Sequence, residues 1–372
     1  MLLNNIFKRK VSIILLTIFL LTILLCGCAK ETTSEEESKA SEEGSKASKV
    51  YEWKITGPNV DGHPRYEFLE YFANAVEKSS GGRLKIELYP AGSLYPITNA
   101  LDAVKQGVTE GTVTWGDYWA GKEPMLKLLT YRPCDPFKDL NEANYLVMKS
   151  EDLVKEAYKK LGVTYVGSLI ALPGEIFQSN VPIKSLEDFN GLRVRSSGLG
   201  QDVFKKLNAA IIAMPMSEVY TAMKLGTLDA FESGGMADNW RSAYQEVAKY
   251  IIEPPLHAPG PLMGGHLIVN NDAWNKLPDD LKAIVKYCAE ATRLYICSQI
   301  RALDGEAKKK FIDYGAEFIT LPEEDVEKAR EIGAEVLLSY RDKSSLCKQF
   351  VELYHDVLLE LGYTNLAKIF EN

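Results

Sequence analysis

The 372-residue sequence predicts a two-lobed α/β protein built on open sheets, with a long helix spanning both lobes and a helical C-terminus. Three observations carry this. Residues 51–115 alternate as strand, helix, strand, helix, strand, the start of a doubly wound lobe with right-handed crossovers. Residues 185–235 repeat the alternation around Leu192 to Arg195 and a strand ending at Phe231-Glu232. The chain then passes between the two blocks near residues 165–182 and again near 255–270, and a helical run of about 35 residues, Asp280 to Tyr314, exceeds what one lobe needs.

In the first block, Tyr51 to Thr56 alternates as a strand. Tyr66, Leu69, Phe72 and Val76 then share one face of a helix from Pro64 to Lys78. Ser79-Ser80-Gly81-Gly82 ends that helix, and Leu84 to Tyr89 is the next strand. A helix through Val104 stops at Gly107, before a strand from Gly111 to Trp115. Ala103 to Gly107 before this strand resembles Ala222 to Gly226 before the strand ending in Glu232. Each reads as helix, glycine cap, strand, so the two blocks are expected to present strand ends to one shared cleft. Helix is expected over Leu140 to Leu161 and strand over Thr164 to Ser168. A helical segment is expected through Trp240, Tyr244 and Tyr250, then a return strand from His266 to Asn270, with helices from Ala273 almost to the end. The expected lobes are 51–167 plus 255–300, and 168–254 plus 301–350, with 351–372 as a helical tail.

Residues 1–27 stand apart from this fold. Lys8-Arg9-Lys10, an apolar run from Val11 to Leu25 and Gly27 before Cys28 read as an export signal with a lipoprotein processing site. The run is short of the ~20 residues that cross a membrane. Cys28 is the expected lipidated residue, and residues 28–50, rich in Ser, Glu and Lys, the flexible tether of a lipid-anchored extracytoplasmic protein. Removing the leader's three cations takes the formal charge from −8 to −11. That balance argues against nucleic acid and anionic membrane surfaces as partners, but not against a small anion gripped in a cleft. Cys134, Cys288, Cys297 and Cys347 have no metal-ligand spacing and are expected to be buried free thiols.

No nucleotide-binding glycine pattern, nucleophile elbow or zinc-protease helix occurs, and the four histidines are scattered singly, so an enzyme reading finds neither nucleophile nor paired acid and base. The chemistry lies at strand ends, where open α/β sheets hold ligands. Arg193 and Arg195 point to one face of their strand. Arg195, just before a Ser-Ser-Gly turn, is placed either for a surface ion pair or for a bidentate grip on a carboxylate. Glu232 reads as an ion-pair partner, a ligand contact or a metal ligand, and Ser233 as a hydrogen-bonding neighbour. Tyr118 and Trp119, after the third strand, either wall a ligand site or pack a loop edge.

The stretches YPAGSL (Tyr89 to Leu94), SLEDFNGLRVRSSG (Ser185 to Gly198), SEVYTAMKLGTLDAFE (Ser217 to Glu232) and LIVNNDAWNKLP (Leu267 to Pro278) together resemble the solute receptors of tripartite ATP-independent periplasmic (TRAP) transporters, over residues 51 to 350. The resemblance implies a periplasmic-binding-protein-like fold and a receptor that hands a small organic carboxylate to membrane permease subunits, with no catalysis. It assigns Arg195 to the substrate carboxylate; Tyr118 and Trp119 would then close the first lobe over the ligand's carbon chain. GDYWAGKEP (Gly116 to Pro124), DAFESGG (Asp229 to Gly235) and the Lys249–Gly260 segment, which contains His257, look like the receptors for 2-oxo and 2-hydroxy monocarboxylates. C4-dicarboxylates and sugar acids are the alternatives within the family. A receptor feeding a signalling protein and an extracellular enzyme are the alternatives outside it. In that subgroup Na+ or Ca2+ can sit beside the substrate on a glutamate matching Glu232, a tryptophan backbone and a glutamine. Here the last two positions are Ser233 and, approximately, Leu172. A homodimer through the C-terminal helices is the subgroup's further implication.

Overall fold

The computed structural model describes residues 49–59, 63–214 and 216–371. The leader, Cys28 and the tether up to residue 48 lie outside them. Eleven strands are described: β1 (Tyr51–Thr56), β2 (Leu84–Tyr89), β3 (Gly111–Thr114), β4 (Thr164–Leu172), β5 (Ile176–Ser179), β6 (Arg193–Arg195), β7 (Ala210–Ile211), β8 (Ala230–Ser233), β9 (Tyr250–Glu253), β10 (Leu262–Val269) and β11 (Glu317–Thr320). The α-helices are α1 (Pro64–Ser79), α2 (Ala100–Gln106), α3 (Leu140–Leu161), α4 (Gly200–Lys206), α5 (Met216–Lys224), α6 (Met236–Arg241), α7 (Asn271–Lys276), α8 (Asp279–Tyr314), α9 (Glu323–Leu338), α10 (Ser345–Glu360) and α11 (Thr364–Ala367).

Two mixed sheets form the two lobes. The first has the order β2-β1-β3-β10-β4, with β1 parallel to both β2 and β3, and β10 antiparallel to β3 and β4. The second runs β11-β9-β5-β8-β6-β7, with β5 antiparallel to both its neighbours. The chain crosses between the sheets after β4, after β9 and along α8. A helix of 36 residues is about 54 Å long at 1.5 Å per residue. Its first half buries Leu281, Val285 and Ala289 with the core of the first sheet, and its second half buries Ala307 and Phe311 beside Ile176, Met236 and Ile251 of the second lobe.

The two echoed segments are structural counterparts. α2 ends at Gly107 and α5 is followed by Gly226, both at positive φ, where a side chain would be strained. The next strands, β3 and β8, lie inside their sheets. α3 has the expected bounds, because the Asp139 side chain accepts the Asn141 and Glu142 amides and Gly162 closes the helix in the left-handed region.

Three differences from the sequence expectation concern pairing and packing. The segment expected to be helical through Tyr250 instead forms β9, and β11 interrupts the C-terminal helices. These strands pair with one another in parallel, Tyr250 opposite Glu317. The lobe boundary expected at 167/168 falls inside β4, which pairs with β10 on both sides of that point. The tail expected from residue 351 begins inside α10, whose Phe350, Tyr354 and Leu358 are fully buried. Tyr354 donates to Asp135 at 2.9 Å, and Asp135 pairs with Arg132 at 2.7 Å in the same dry region. The apolar C-terminal positions are therefore covered within the chain. Cys134, Cys288, Cys297 and Cys347 are free and buried. His266 is structural: burial pushes its imidazole down to about 4, and the neutral ring bonds the Tyr158 hydroxyl at 2.8 Å.

Candidate functional site

A cavity of about 400 Å³ lies where the C-terminal ends of β3, β6 and β8 meet the start of α1 and the crossover before β5. Arg195, Glu232 and Ser233, at strand ends, line it together with Tyr118. A depression of similar size near Tyr220, Lys249 and Tyr314 lies at the edge of the second lobe, away from the buried charges.

Arg195 ends β6. Its Nη1 donates to the carbonyl oxygen of Glu232 at 3.0 Å and to its Oε1 at 3.1 Å, while Nε reaches the Met214 carbonyl at 3.4 Å. These bonds lock the guanidinium plane. Among the described residues Nη2 has no hydrogen-bond partner, and the side chain borders the cavity. Glu232 Oε1 also accepts from the Ser197 hydroxyl at 2.7 Å. Its Oε2 faces His257 Nε2 at 3.5 Å, and His257 Nε2 lies 3.4 Å from Glu175 Oε2. Tyr131 donates to the other oxygen of Glu175, at 3.4 Å. Burial pushes the Glu232 carboxyl up, against the opposing pull of His257 and Arg195. Burial acts on Glu175 in the same direction, but His257, Arg65 and Arg195 outweigh it and the net shift is downward.

His257 is fully buried behind the cavity wall and reaches the site through the two glutamates. Gly200, the last residue of the Ser-Gly-Leu-Gly turn, permits this: a Cβ there would stand 2.8 Å from both the His257 Cβ and the Ser196 hydroxyl. Trp119 does not line the cavity. The single 3-10 turn Gly116–Trp119 after β3 rotates it inward, where it is buried with Leu101 and Leu126. Trp115 takes the wall position instead, and Tyr118 stays half exposed at the rim. Leu172 is buried among apolar side chains and offers no ligand atom.

Five residues that sequence reasoning missed, Arg65, Asp238, His63, Glu175 and Asp117, also line the cavity. Arg65, on the first turn of α1, donates through Nη2 to Asp238 Oδ2 of α6, joining the two lobes across the cavity. His63 caps α1, accepting the Arg65 amide at 3.1 Å, and lies 3.6 Å from Asp238. Gly234 leaves the space, since a Cβ there would sit 2.7 Å from the Asp238 carboxylate and 2.9 Å from the guanidinium. Glu175 comes from the crossover between β4 and β5, and Asp117 from the turn after β3. The helix start after Pro64 and the acidic residue in Pro-Gly-Glu were the available signals, but neither falls at a strand end.

Asp117 carries a prediction. Its Oδ1 is buried without a partner, and burial, with Glu232 and Glu175 nearby, pushes the carboxyl up to about 6. Its pKa in the folded chain is above the unfolded value near 4, so the native state binds more protons between about pH 4 and 6. Asp117 therefore costs stability once both states are ionised. Asp117→Asn is expected to gain on the order of 1–3 kcal/mol in urea unfolding at pH 7.5, with the gain fading as pH falls through 6 towards 4.

Two lobes joined by chain crossovers, with a cavity of converging buried charges where their strand ends meet, are the architecture of a solute receptor. A sequence profile of bacterial extracellular solute-binding protein family 7 matches residues 58–343. The chain belongs to that family, the DctP-type extracytoplasmic receptors of TRAP transporters, which are transport components without catalytic activity. It is 28% identical over 326 residues, 85% of this chain and 88% of the relative, to a monocarboxylate 2-oxoacid-binding periplasmic protein of Nostoc sp. PCC 7120. Its fold matches a TRAP solute-binding protein of Bordetella bronchiseptica RB50, a mixed-occupancy dimer with calcium and picolinate in one active site, at TM-score 0.76 and 22% identity over 86% of this chain and 95% of that one. It also matches a Pseudoalteromonas atlantica T6c protein with bound sodium and pyruvate, at TM-score 0.75 and 22% identity over 84% and 95% of the two chains. The buried Glu175, Glu232 and His257 could chelate a cation, their ligand atoms all lying within 4.8 Å of one another.

Proposed function

We propose that this receptor binds a small organic acid, a 2-oxo or 2-hydroxy monocarboxylate, and delivers it to the TRAP membrane subunits. The observation that carries this is Arg195: a guanidinium held flat by the Glu232 backbone and carboxylate, with Nη2 unclaimed at the edge of a cavity sized for a small ligand. A carboxylate removed from water between two lobes requires a partner of that kind. Glu232 and Ser233 face the ligand's second oxygen, and Tyr118 with Trp115 covers its carbon chain. His257 acts through the glutamates. A cation beside the acid suits the local charge. Arg65 and Arg195 offset Asp238 and Glu232, which leaves Glu175, facing His257, and Asp117 without a lysine or arginine in direct contact. Na+ and Ca2+, the ions bound in the two related structures, are the reference ions for that position.

The segments 172–176 and 253–262 serve as hinges for lobe closure. Cys28 supplies the lipid anchor on the outer face of the membrane, and the receptor forms a homodimer as one related structure does. A dicarboxylate or sugar acid is the second reading, favoured by Arg65 as another guanidinium on the cavity wall, although Asp238 already neutralises it. Thermal shift of ligand-stripped mature protein against C2–C6 mono- and dicarboxylates tests both readings, since a ligand that binds only the folded state raises its apparent stability. The largest shift is expected with pyruvate, lactate or their near homologues. A larger shift with malonate or succinate would favour the second reading, and shifts with sugars or amino acids alone would exclude both.

A further inference from the structure

We infer that Asp117 reads the ligand's second functional group by accepting a hydrogen bond from a hydroxyl, so that the receptor takes a hydroxy monocarboxylate in preference to the matching oxo acid. The inference rests on the reading of Arg195 as the carboxylate anchor, and it separates two substrate classes that this reading leaves together.

Four carboxylates line the cavity, and three of them are engaged by other side chains. Asp238 accepts from Arg65, Glu232 from Arg195 and Ser197, and Glu175 from Tyr131. Among the described residues, Asp117 accepts from nothing beyond its own backbone amide. Its Oδ1 is covered, while the residue is partly exposed and lines the cavity, so Oδ2 is the oxygen a ligand meets. A carboxylate left in this state on the wall of a binding cavity points to a donor supplied by the ligand. The turn that carries it is fixed at both ends. A Cβ on Gly116 would stand 3.2 Å from the Tyr158 hydroxyl and 3.4 Å from His266 Nδ1, and Trp119 is buried in the core. The carboxylate is therefore preset by the packing around it.

What Asp117 accepts follows from its charge. Its carboxyl, lifted to about 6 by burial and by Glu232 and Glu175, is ionised at pH 7.5 and is then an acceptor alone. A ligand hydroxyl offers the hydrogen it lacks. A keto oxygen offers only lone pairs, which sets two acceptors against each other and leaves the carboxylate unsatisfied as well. The neighbouring polar groups do not make this distinction. The Ser233 hydroxyl can donate or accept, and Glu232 Oε1 is taken by Arg195 and Ser197. With its carboxylate on Arg195 Nη2 and its hydroxyl on Asp117, the acid bonds the second lobe and the first at once, which favours the closed arrangement.

The test is calorimetry on ligand-stripped mature protein at pH 7.5, with acids that share one carbon skeleton: both enantiomers of lactate, pyruvate and L-alanine, then their four-carbon homologues. The better enantiomer of the hydroxy acid is expected to bind at least ~10-fold more tightly than the oxo acid. Asp117→Asn keeps the shape and adds an amide donor that a keto oxygen can accept, so it is expected to erase that preference. Arg195→Ala is expected to weaken both acids alike. Should Asp117→Asn not fold, Asp117→Ala is expected to bring the hydroxy acid down to the affinity of the oxo acid. Equal affinities in the parent, or a preference unchanged in the variants, would overturn the inference and leave carboxylate binding at Arg195 standing. Tighter binding of L-alanine than of lactate would overturn it in favour of an ammonium at Asp117. A preference for the hydroxy acid seen only with added Na+ or Ca2+ would also overturn it, the hydroxyl then being read by an ion. Failure of all these acids to bind would sink the monocarboxylate reading and the inference with it.

Discussion

Arg195→Ala is expected to weaken binding of the small acid by at least ~100-fold in calorimetry, because truncating one member of a buried charge pair costs about 2–5 kcal/mol. Only about a tenth of the Arg195 side chain is exposed, and it makes three hydrogen bonds to its own protein before any ligand arrives. Those bonds set the plane in which Nη2 meets a carboxylate, so orientation as well as charge is lost. Arg195→Lys separates the two contributions. An ammonium keeps the charge but cannot bond the Glu232 carbonyl and the ligand in one plane, and most of the loss should persist. Glu232 then loses a neighbour that pulls its carboxyl down, so the alanine variant should take up a proton at higher pH than the parent. Unchanged affinity in Arg195→Ala would remove Arg195 from the site.

How much of this was legible in the sequence follows from which forces are local. β1 and β2 have the expected bounds because period-two alternation and flanking Gly-Pro or Gly-Gly turns act within a few residues. β9 and β11 were missed because neither is more than four residues long and each depends on a partner 67 positions away in sequence. Arg195 and Glu232 were legible because the end of a strand in an open sheet is a known ligand position. Arg65, Asp117 and Glu175 come from a helix start, a 3-10 turn and the connection between β4 and β5. Their convergence is a tertiary fact with no period to betray it. Trp119 shows the converse. Its neighbour Tyr118 does reach the cavity rim, but the turn that carries both sends the indole to the core and leaves Trp115 on the wall. The ligand-contacting role of an aromatic pair after a strand depends on one dihedral step that composition does not encode.

The same convergence makes the Arg65–Asp238 pair the second large effect. Arg65 leaves the first lobe and Asp238 the second, with side chains about a tenth exposed, so the bond both fastens the lobes and shields two charges. Asp238→Ala leaves a buried guanidinium with one unpaired nitrogen already, and is expected to destabilise the chain by about 3–5 kcal/mol in urea unfolding. Replacing both members, Arg65→Met with Asp238→Leu, removes the unpaired charge and should recover most of that loss, since an apolar pair of similar volume is often no worse than a buried ion pair. The lobes would then be joined by contacts without direction. The double variant should therefore be more open in small-angle scattering while retaining its stability, and should bind the acid more weakly because closure now costs ordering that the ion pair had provided. If the double variant stays as unstable as Asp238→Ala, the charge pair is not what is lost; damaged packing at Gly234, which admits both side chains, would then account for the effect.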